Sequence, residues 1–201
     1  MAQELRTTKL EAVNAMLACV GESPINTLLG ELTANVQIAV DLLHSTSRKV
    51  QNTGYNFNTE EDFELAREVG TNKIPVPGNA LSVDLTEENG QFQVIMVGDF
   101  LYDKTNHTFV FSANQKCTIK FFRAWEELPE PARNYIKVKA ARIYQDQTVG
   151  AQEHHSYSQQ DEVEAYATFV TDDGENEDAN IFDTYFMASM VQRKRPRITQ
   201  F

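Results

Sequence analysis

The sequence predicts an α+β fold: a helical bundle with an inserted antiparallel β-domain and an extended C-terminal segment. Three observations predict it. Apolar residues recur at three- and four-residue spacing in the first fifty or so positions and again after Leu128, the mark of helices with one buried face. Between them, from 81 to 122, short alternating and aromatic-rich runs are separated by polar turns, the mark of strands. The final stretch joins an aromatic-rich segment to a basic one. These boundaries place the bundle in residues 1–54 and 128–180, the β-domain in 55–127 and a C-terminal docking segment in 181–201.

The first helix is predicted over 8–20, where Leu10, Val13, Met16, Leu17 and Val20 share a face. Gly21 stops it and Pro24 prevents its resumption. A second helix is predicted over 34–52, capped by Thr33, with Val36, Ala39, Val40, Leu43 and Val50 inward and Gly54 closing it. The two would pack antiparallel across the loop 22–32.

After Gly54 the pattern changes. Tyr55, Phe57, Phe63, Leu65 and Val69 are spaced for an extended or mixed segment, which Pro75, Pro77 and Gly78 punctuate. Residues 82–85 alternate as a strand, 87–90 form a turn, and Phe92, Val94 and Ile95 begin the next strand. Residues 100–102 and 109–111, joined by the polar turn 103–107, predict a hairpin, and 118–122 predict one more strand. Helical pattern returns at Leu128, with Pro129 and Pro131 suited to a first turn, where a missing N–H costs nothing. Ala132, Tyr135, Ile136, Lys139, Ala140 and Ile143 carry that helix to about 147, and Gly150 breaks it. A last helix is predicted over 158–171 with Val163, Tyr166, Ala167 and Val170 inward. The acidic run 172–178 then reads as an exposed helix end or a mobile loop.

Composition narrows the function classes. A chain of 201 residues with net charge −11 lacks the cationic excess from which general nucleic-acid binders gain affinity by counterion release. The same acidity suits a surface that DNA slides past, and it suits plain solubility equally well. No apolar run reaches the roughly 20 residues of a membrane helix, and the N-terminus lacks the apolar core of a signal peptide, so the chain reads as made and used without crossing a membrane on its own. Cys19 and Cys117, far apart and away from other ligand types, read as reduced, part-buried core residues.

Few residues offer chemistry, and the expected catalytic, cofactor-binding and metal-binding sets are empty. Glu60-Glu61-Asp62 and Glu126-Glu127 are acid clusters, and a glycosidase needs two carboxyls facing across a cleft. Adjacent acids are more often solvated surface. His154-His155 falls in a predicted polar linker, where neighbouring side chains diverge, and no HExxH or CxxC pattern accompanies it. Phosphate-binding glycine loops and the GxSxG elbow are absent. The tail is the odd feature: Phe182, Tyr185, Phe186 and Met190 precede Arg193, Lys194, Arg195 and Arg197 in an otherwise acidic chain. It reads as a solvated terminus, a DNA-touching arm or a docking peptide. Aromatic anchors beside basic residues favour docking, because they bury large area at small entropic cost.

Several segments, in order, resemble the tail tubular protein A family of T7-like podoviruses, also called head-to-tail adaptors or gatekeepers. They are Leu10-Glu11-Ala12-Val13-Asn14 through Gly21-Glu22-Ser23-Pro24 with Thr27-Leu28; Gly54-Tyr55-Asn56-Phe57-Asn58; Leu101-Tyr102-Asp103-Lys104-Thr105; and Glu127-Leu128-Pro129 with Arg133, Tyr135-Ile136 and Lys139-Ala140-Ala141-Arg142. Together they span about half the chain. The resemblance implies a structural virion protein without enzymatic activity, assembled in the host cytoplasm as a dodecameric ring at the head–tail junction. One face would meet the portal protein; the tail residues, which lie outside the resembling segments, are the candidate portal-docking set on their own composition. The other face would meet the tail nozzle (tail tubular protein B), and genomic DNA would pass through the channel during ejection without sequence-specific binding. Two other readings stay open: a bifunctional tail protein that also hydrolyses host surface glycans with acids such as Glu61 and Glu127, and a chaperone-like or regulatory DNA binder.

Overall fold

A computed structural model of the chain describes residues 6–85, 93–148 and 152–176, without the side chains of 152–158 and 176. The element order is α1 (Lys9–Cys19), α2 (Ala34–Gln51), β1 (Thr59–Leu65), β2 (Ala80–Leu85), β3 (Val94–Val97), β4 (Phe100–Asp103), β5 (Gln115–Phe121), α3 (Glu130–Thr148) and α4 (Gln152–Asn176). Short 3-10 turns at Asn56–Asn58 and Trp125–Glu127 stand where the chain passes between helices and strands. The fold is α+β, as the sequence predicts.

The start of α1 is fixed by a reciprocal cap: Glu11 N–H donates to Thr8 Oγ1 at 3.1 Å, and Thr8 N–H donates to Glu11 Oε2 at 2.8 Å. Its end is fixed by Gly21, whose φ of +77° few other residues adopt cheaply and which lets Glu22 N–H reach Leu17 O. Asn14 then holds the following loop by both backbone groups of Ile25, at 2.9 Å each. Thr33 precedes α2 as expected but makes no side-chain cap bond. α3 packs against α1, α2 and α4 and is thus the centre of the helical part. Val13, Met16, Leu17, Ala39, Leu43, Ile136, Ala140 and Phe169 fill one continuous core there.

At the mouth of this core Arg133 is buried, and its guanidinium donates to the carbonyls of Leu128, Thr7 and Glu126. Trp125 Nε1 donates to Thr7 O as well, and Thr7 N–H donates to Glu130 Oε2 at 2.7 Å. The N-terminal approach to α1 is therefore stitched to the first turn of α3.

The strands form a second core. β5 is the central strand of a three-stranded antiparallel sheet ordered β1-β5-β2. Its alternation is complete: Gln115, Cys117, Ile119 and Phe121 are buried, while the residues between them are not. Leu65, Ile74, Val76, Leu101 and Phe111 close over that face. β3 and β4 form a separate hairpin across Gly98-Asp99, with Val97 opposite Phe100 and Gly98 at φ +61°.

Several expectations are corrected. β4 does not pair with 109–111 as a hairpin; it pairs with β3, and its other edge takes the backbone of Ile74 and Val76. Asp103 is the cause. Its carboxylate accepts from the N–H groups of Thr105 and Asn106, at 2.7 and 3.0 Å, and tightens the turn so that only one bridge forms, Asp103 to Thr108. Phe111 then donates its N–H to Asn72 O and enters the sheet core. Cys117 is buried as expected, and burial pushes its thiol up to about 11, but Cys19 is exposed. The His154-His155 pair lies within α4 rather than a linker, and the first acids of the run 172–178 lie in its last turns. The turn at 87–90 and Phe92 lie outside the described residues.

Helices and sheet meet through two chain crossings tied by two buried amides. Gln51 donates to Arg123 O at 3.1 Å and accepts from Arg123 N–H at 2.7 Å. Asn58 donates to Gln51 O and Phe121 O, both at 2.9 Å, and accepts from Tyr55 N–H. Gly54, at φ +87°, turns the chain between them under the Lys120 side chain, whose Cε would lie 2.5 Å from any Cβ there. Asn58→Ala removes three hydrogen bonds and strands buried carbonyls, so a loss of about 2–4 kcal/mol in urea unfolding is expected. Asn58→Asp is expected to recover little of it, because a carboxylate cannot donate to the two carbonyls. A loss below about 0.5 kcal/mol for Asn58→Ala would show that the clamp is not needed.

Candidate interaction surfaces

The acid clusters come to rest at the junction. Glu60-Glu61-Asp62 sits on a bulge in β1, where the pairing with β5 shifts and Asp62 takes φ +52°. Glu60 is committed to Arg123, 2.7 Å away. Glu127 accepts the N–H of Ala124 and so caps its own 3-10 turn. Glu61 lines an open depression of about 610 Å³ with Asn56 and Asp173, and Glu127 lines a different one of about 330 Å³. The two depressions adjoin, since Asn56 and Asp173 line both. Among the described residues no group of three or more His, Cys, Asp or Glu side chains is placed to hold a metal ion. Nor is any described helix long and apolar enough to cross a membrane.

Asp173, read from the sequence only as part of the acidic run 172–178, has a defined task. Its carboxylate accepts the N–H groups of Asn56 and Phe57, at 3.0 and 3.4 Å, the free donors at the start of a 3-10 turn. It ties the C-terminal part of α4 to the junction. Beside it, Phe169 inserts between Tyr55, Phe57 and Tyr135, with ring centroids 4.5, 6.1 and 5.7 Å away. Burial, with Tyr166 and Tyr135 adding to it, pushes the Tyr55 hydroxyl up to about 12.

The inward face of α4 is corrected by these contacts. Ala165 and Phe169 are buried, whereas Val163, Tyr166 and Val170 are 64, 43 and 42 % exposed, and Ala167 is exposed. Glu162 decides the rotation together with Phe169. It takes Lys139 Nζ at 3.2 Å and the Arg142 guanidinium, both on α3. Lys139 also donates to Tyr135 Oη at 2.8 Å. A face presenting Glu162, Ala165 and Phe169 satisfies two half-buried cations and lets the helices approach at the alanine. Turning α4 to bury Val163 and Val170 would forfeit the ion pairs. One signal was available: Lys139 and Arg142, three residues apart on one helix face, favour an acid on whatever packs on them, although Asp146 on the same helix already pairs with Arg142 at 3.1 Å.

Burial alone would raise the pKa of Glu162. The hydrogen bonds from Arg142 and Lys139 outweigh it and hold the carboxyl below its ordinary 4.5. Because the folded value is depressed, the stability it brings is present above pH 4.5 and is lost as pH falls through the folded value. Glu162→Gln is expected to cost about 1–3 kcal/mol at pH 7. The gap between wild type and variant should close between pH 4.5 and the acid limit of folding; unfolding midpoints read at pH 7 and along an acid series check it. A gap independent of pH would deny the pair its role.

The tail residues Phe182, Tyr185, Phe186, Met190, Arg193, Lys194, Arg195 and Arg197 lie outside the described residues. A family model described as "Tube: Tail tubular protein" matches residues 10–179, which take in the described helices, α1 from its second residue, and both described sheets. No curated protein matches the chain.

Proposed function

Because the chain belongs to the tail tubular protein family, and is therefore a structural component of a viral tail, we propose that it is the adaptor that joins head to tail. In this reading its copies form a dodecameric ring between the portal and the tail nozzle, and DNA leaves through the ring. The observation that carries it is the reach of the family match, which runs continuously from the first helix through both sheets to beyond the fourth. The physical features agree. The net charge of −11 lets a polyanion pass without being held. The described depressions near the acid clusters are open, and two of the acids are already engaged, Glu60 with Arg123 and Glu127 as the cap of its own turn.

The C-terminal set from Phe182 to Arg197 is the proposed portal anchor, with the aromatic residues filling pockets and the cations giving charge steering. Light scattering of the purified protein with a matching portal ring is expected to give the mass of a complete adaptor ring on the portal. A chain truncated after Met190 should remain folded and lose that binding. A full chain that ignores the portal overturns the adaptor reading; a truncated chain that still binds overturns only the anchor.

Glycan hydrolysis is expected to be absent. Incubation of the purified protein with host surface polysaccharide should release no reducing ends. Turnover that disappears in Glu61→Gln or Glu127→Gln would restore the hydrolase reading.

A further inference from the structure

The β3–β4 hairpin buries one face and leaves the other open. Leu101 and Asp103 turn inward, so Phe100 and Tyr102, which alternate with them, turn out. The register sets Val97 beside Phe100 and Ile95 beside Tyr102, and these four share the outer face. Ile95 and Val97 are each 41 % exposed there. Phe109 extends the surface, its ring 4.9 Å from that of Tyr102. An antiparallel sheet that turns one face to water carries polar residues on it. This one carries a contiguous aliphatic and aromatic patch instead, the mark of an interaction surface.

The patch is cationic in a chain of net charge −11. Lys73 lies over the rings of Phe100 and Phe109, at 5.3 and 5.6 Å. Lys104, exposed, continues the ladder by one residue, its N–H donating to Gln93 O, and edges the patch. Among the described residues neither ammonium is paired with a carboxylate. Glu68, near Lys73 in the chain, takes the Thr71 hydroxyl, and Asp99 stands apart at the hairpin turn. One segment of the chain carries the complementary chemistry. Residues 177–190 hold Glu177, Asp178 and Asp183 with Phe182, Tyr185 and Phe186, and contain no lysine or arginine. That segment begins where α4 ends, on a helix end that Asp173 ties to Asn56 and Phe57 just before β1. Extended, it reaches ~50 Å, against a radius of gyration of about 16 Å for a domain of this length. The face is within its reach.

We propose that residues 177–190 of the free chain lie on the outer face of its own β3–β4 hairpin, aromatic rings against aromatic rings and acids towards Lys73 and Lys104. Attachment to α4 makes the contact intramolecular, at an effective concentration on the order of mM, so a weak contact is enough. The docking deepens the portal-anchor reading above and rests on it. Phe182, Tyr185, Phe186 and Met190 are the apolar part of that anchor, and the hairpin shelters them until a portal competes for them. The cations from Arg193 onward lie beyond the docked segment and are left to meet the portal first.

The experiment uses the full chain, purified without portal, with benzoylphenylalanine in place of Ile95 on the outer face. Irradiation is expected to give a crosslink to residues 177–190, shown to be within one chain by mixing heavy- and light-isotope protein. A crosslink to residues 86–92, to the tail of a second copy, or to no part of the tail overturns the docking. If that chain still binds a portal ring, the docking alone falls. Binding to the portal is expected to lower the intrachain crosslink at least tenfold. A crosslink that persists on the portal overturns the anchor assignment and leaves the docking standing. Charge reversal gives an independent arm. Lys73→Glu with Lys104→Glu is expected to lower the crosslink at least fivefold, as is Asp178→Lys with Asp183→Lys. The tail pair alters no residue of the sheet, so its result stands even where Lys73→Glu unfolds it. A chain carrying all four changes should recover most of the crosslink. Equal loss in the fourfold variant, with an unchanged unfolding midpoint, would rule the pairing out.

Discussion

Two primary amides, on Gln51 and Asn58, hold the places where the chain passes from helix to strand and back. Both are fully buried; the Gln51 amide bonds both backbone groups of Arg123 on the return crossing, and the Asn58 amide bonds backbone on both crossings. Backbone carbonyls at such crossings have left one secondary structure and not yet entered another, so they would be buried without partners. An amide is suited to the position because it donates and accepts at once. The end of α2 and the end of β5 become one polar knot, and the helical core and the sheet core grow from either side of it. Asp173 adds the far end of α4 to the same knot through Asn56 and Phe57.

That knot also bears on which way α4 faces. Hydrophobic periodicity alone offers two solutions for this helix, and the choice between them is made by polar partners. Burying Phe169 among Tyr55, Phe57 and Tyr135 stabilises by about 2–3 kcal/mol. Val163 and Val170 together could offer a comparable amount, so apolar area does not decide. Glu162 does: left in water it would leave Lys139 and Arg142 half-buried beside each other on α3. The consequence is an apolar ridge that the fold leaves on its surface.

The sequence made the α+β class legible because each helix announces its own period and, for α1 and α2, its own stop signal at Gly21 or Gly54. Val13, Met16, Leu17, Val36, Ala39, Leu43 and Val50 follow from spacing alone; Leu10, Val20 and Val40 are only part-buried, and the buried Thr46, Ser47 and Gln51 carry no apolar signal. Legibility failed where one element's position depends on a distant side chain. The false hairpin at 109–111 has the right alternation, but the carboxylate of Asp103 and a bond to Asn72 draw the segment elsewhere. The face of α4 failed for the same reason, through Lys139 and Arg142. The acid clusters were visible as clusters, yet their employment as a bulge, a cap and an ion pair needed the geometry of the junction.

The helical core draws α1 and α2 from one end of the chain and α3 and α4 from the other, with α3 at its centre. During synthesis α2 is complete at Gln51, and the helix that covers it begins only at Glu130. At about 5–20 residues per second, a ribosome leaves Val13, Met16, Leu17 and Leu43 without that cover for roughly 4–16 seconds. The sheet, whose strands lie wholly inside that interval, can form first, and the newborn bundle must meanwhile escape chaperones, proteases and its own neighbours on the same message.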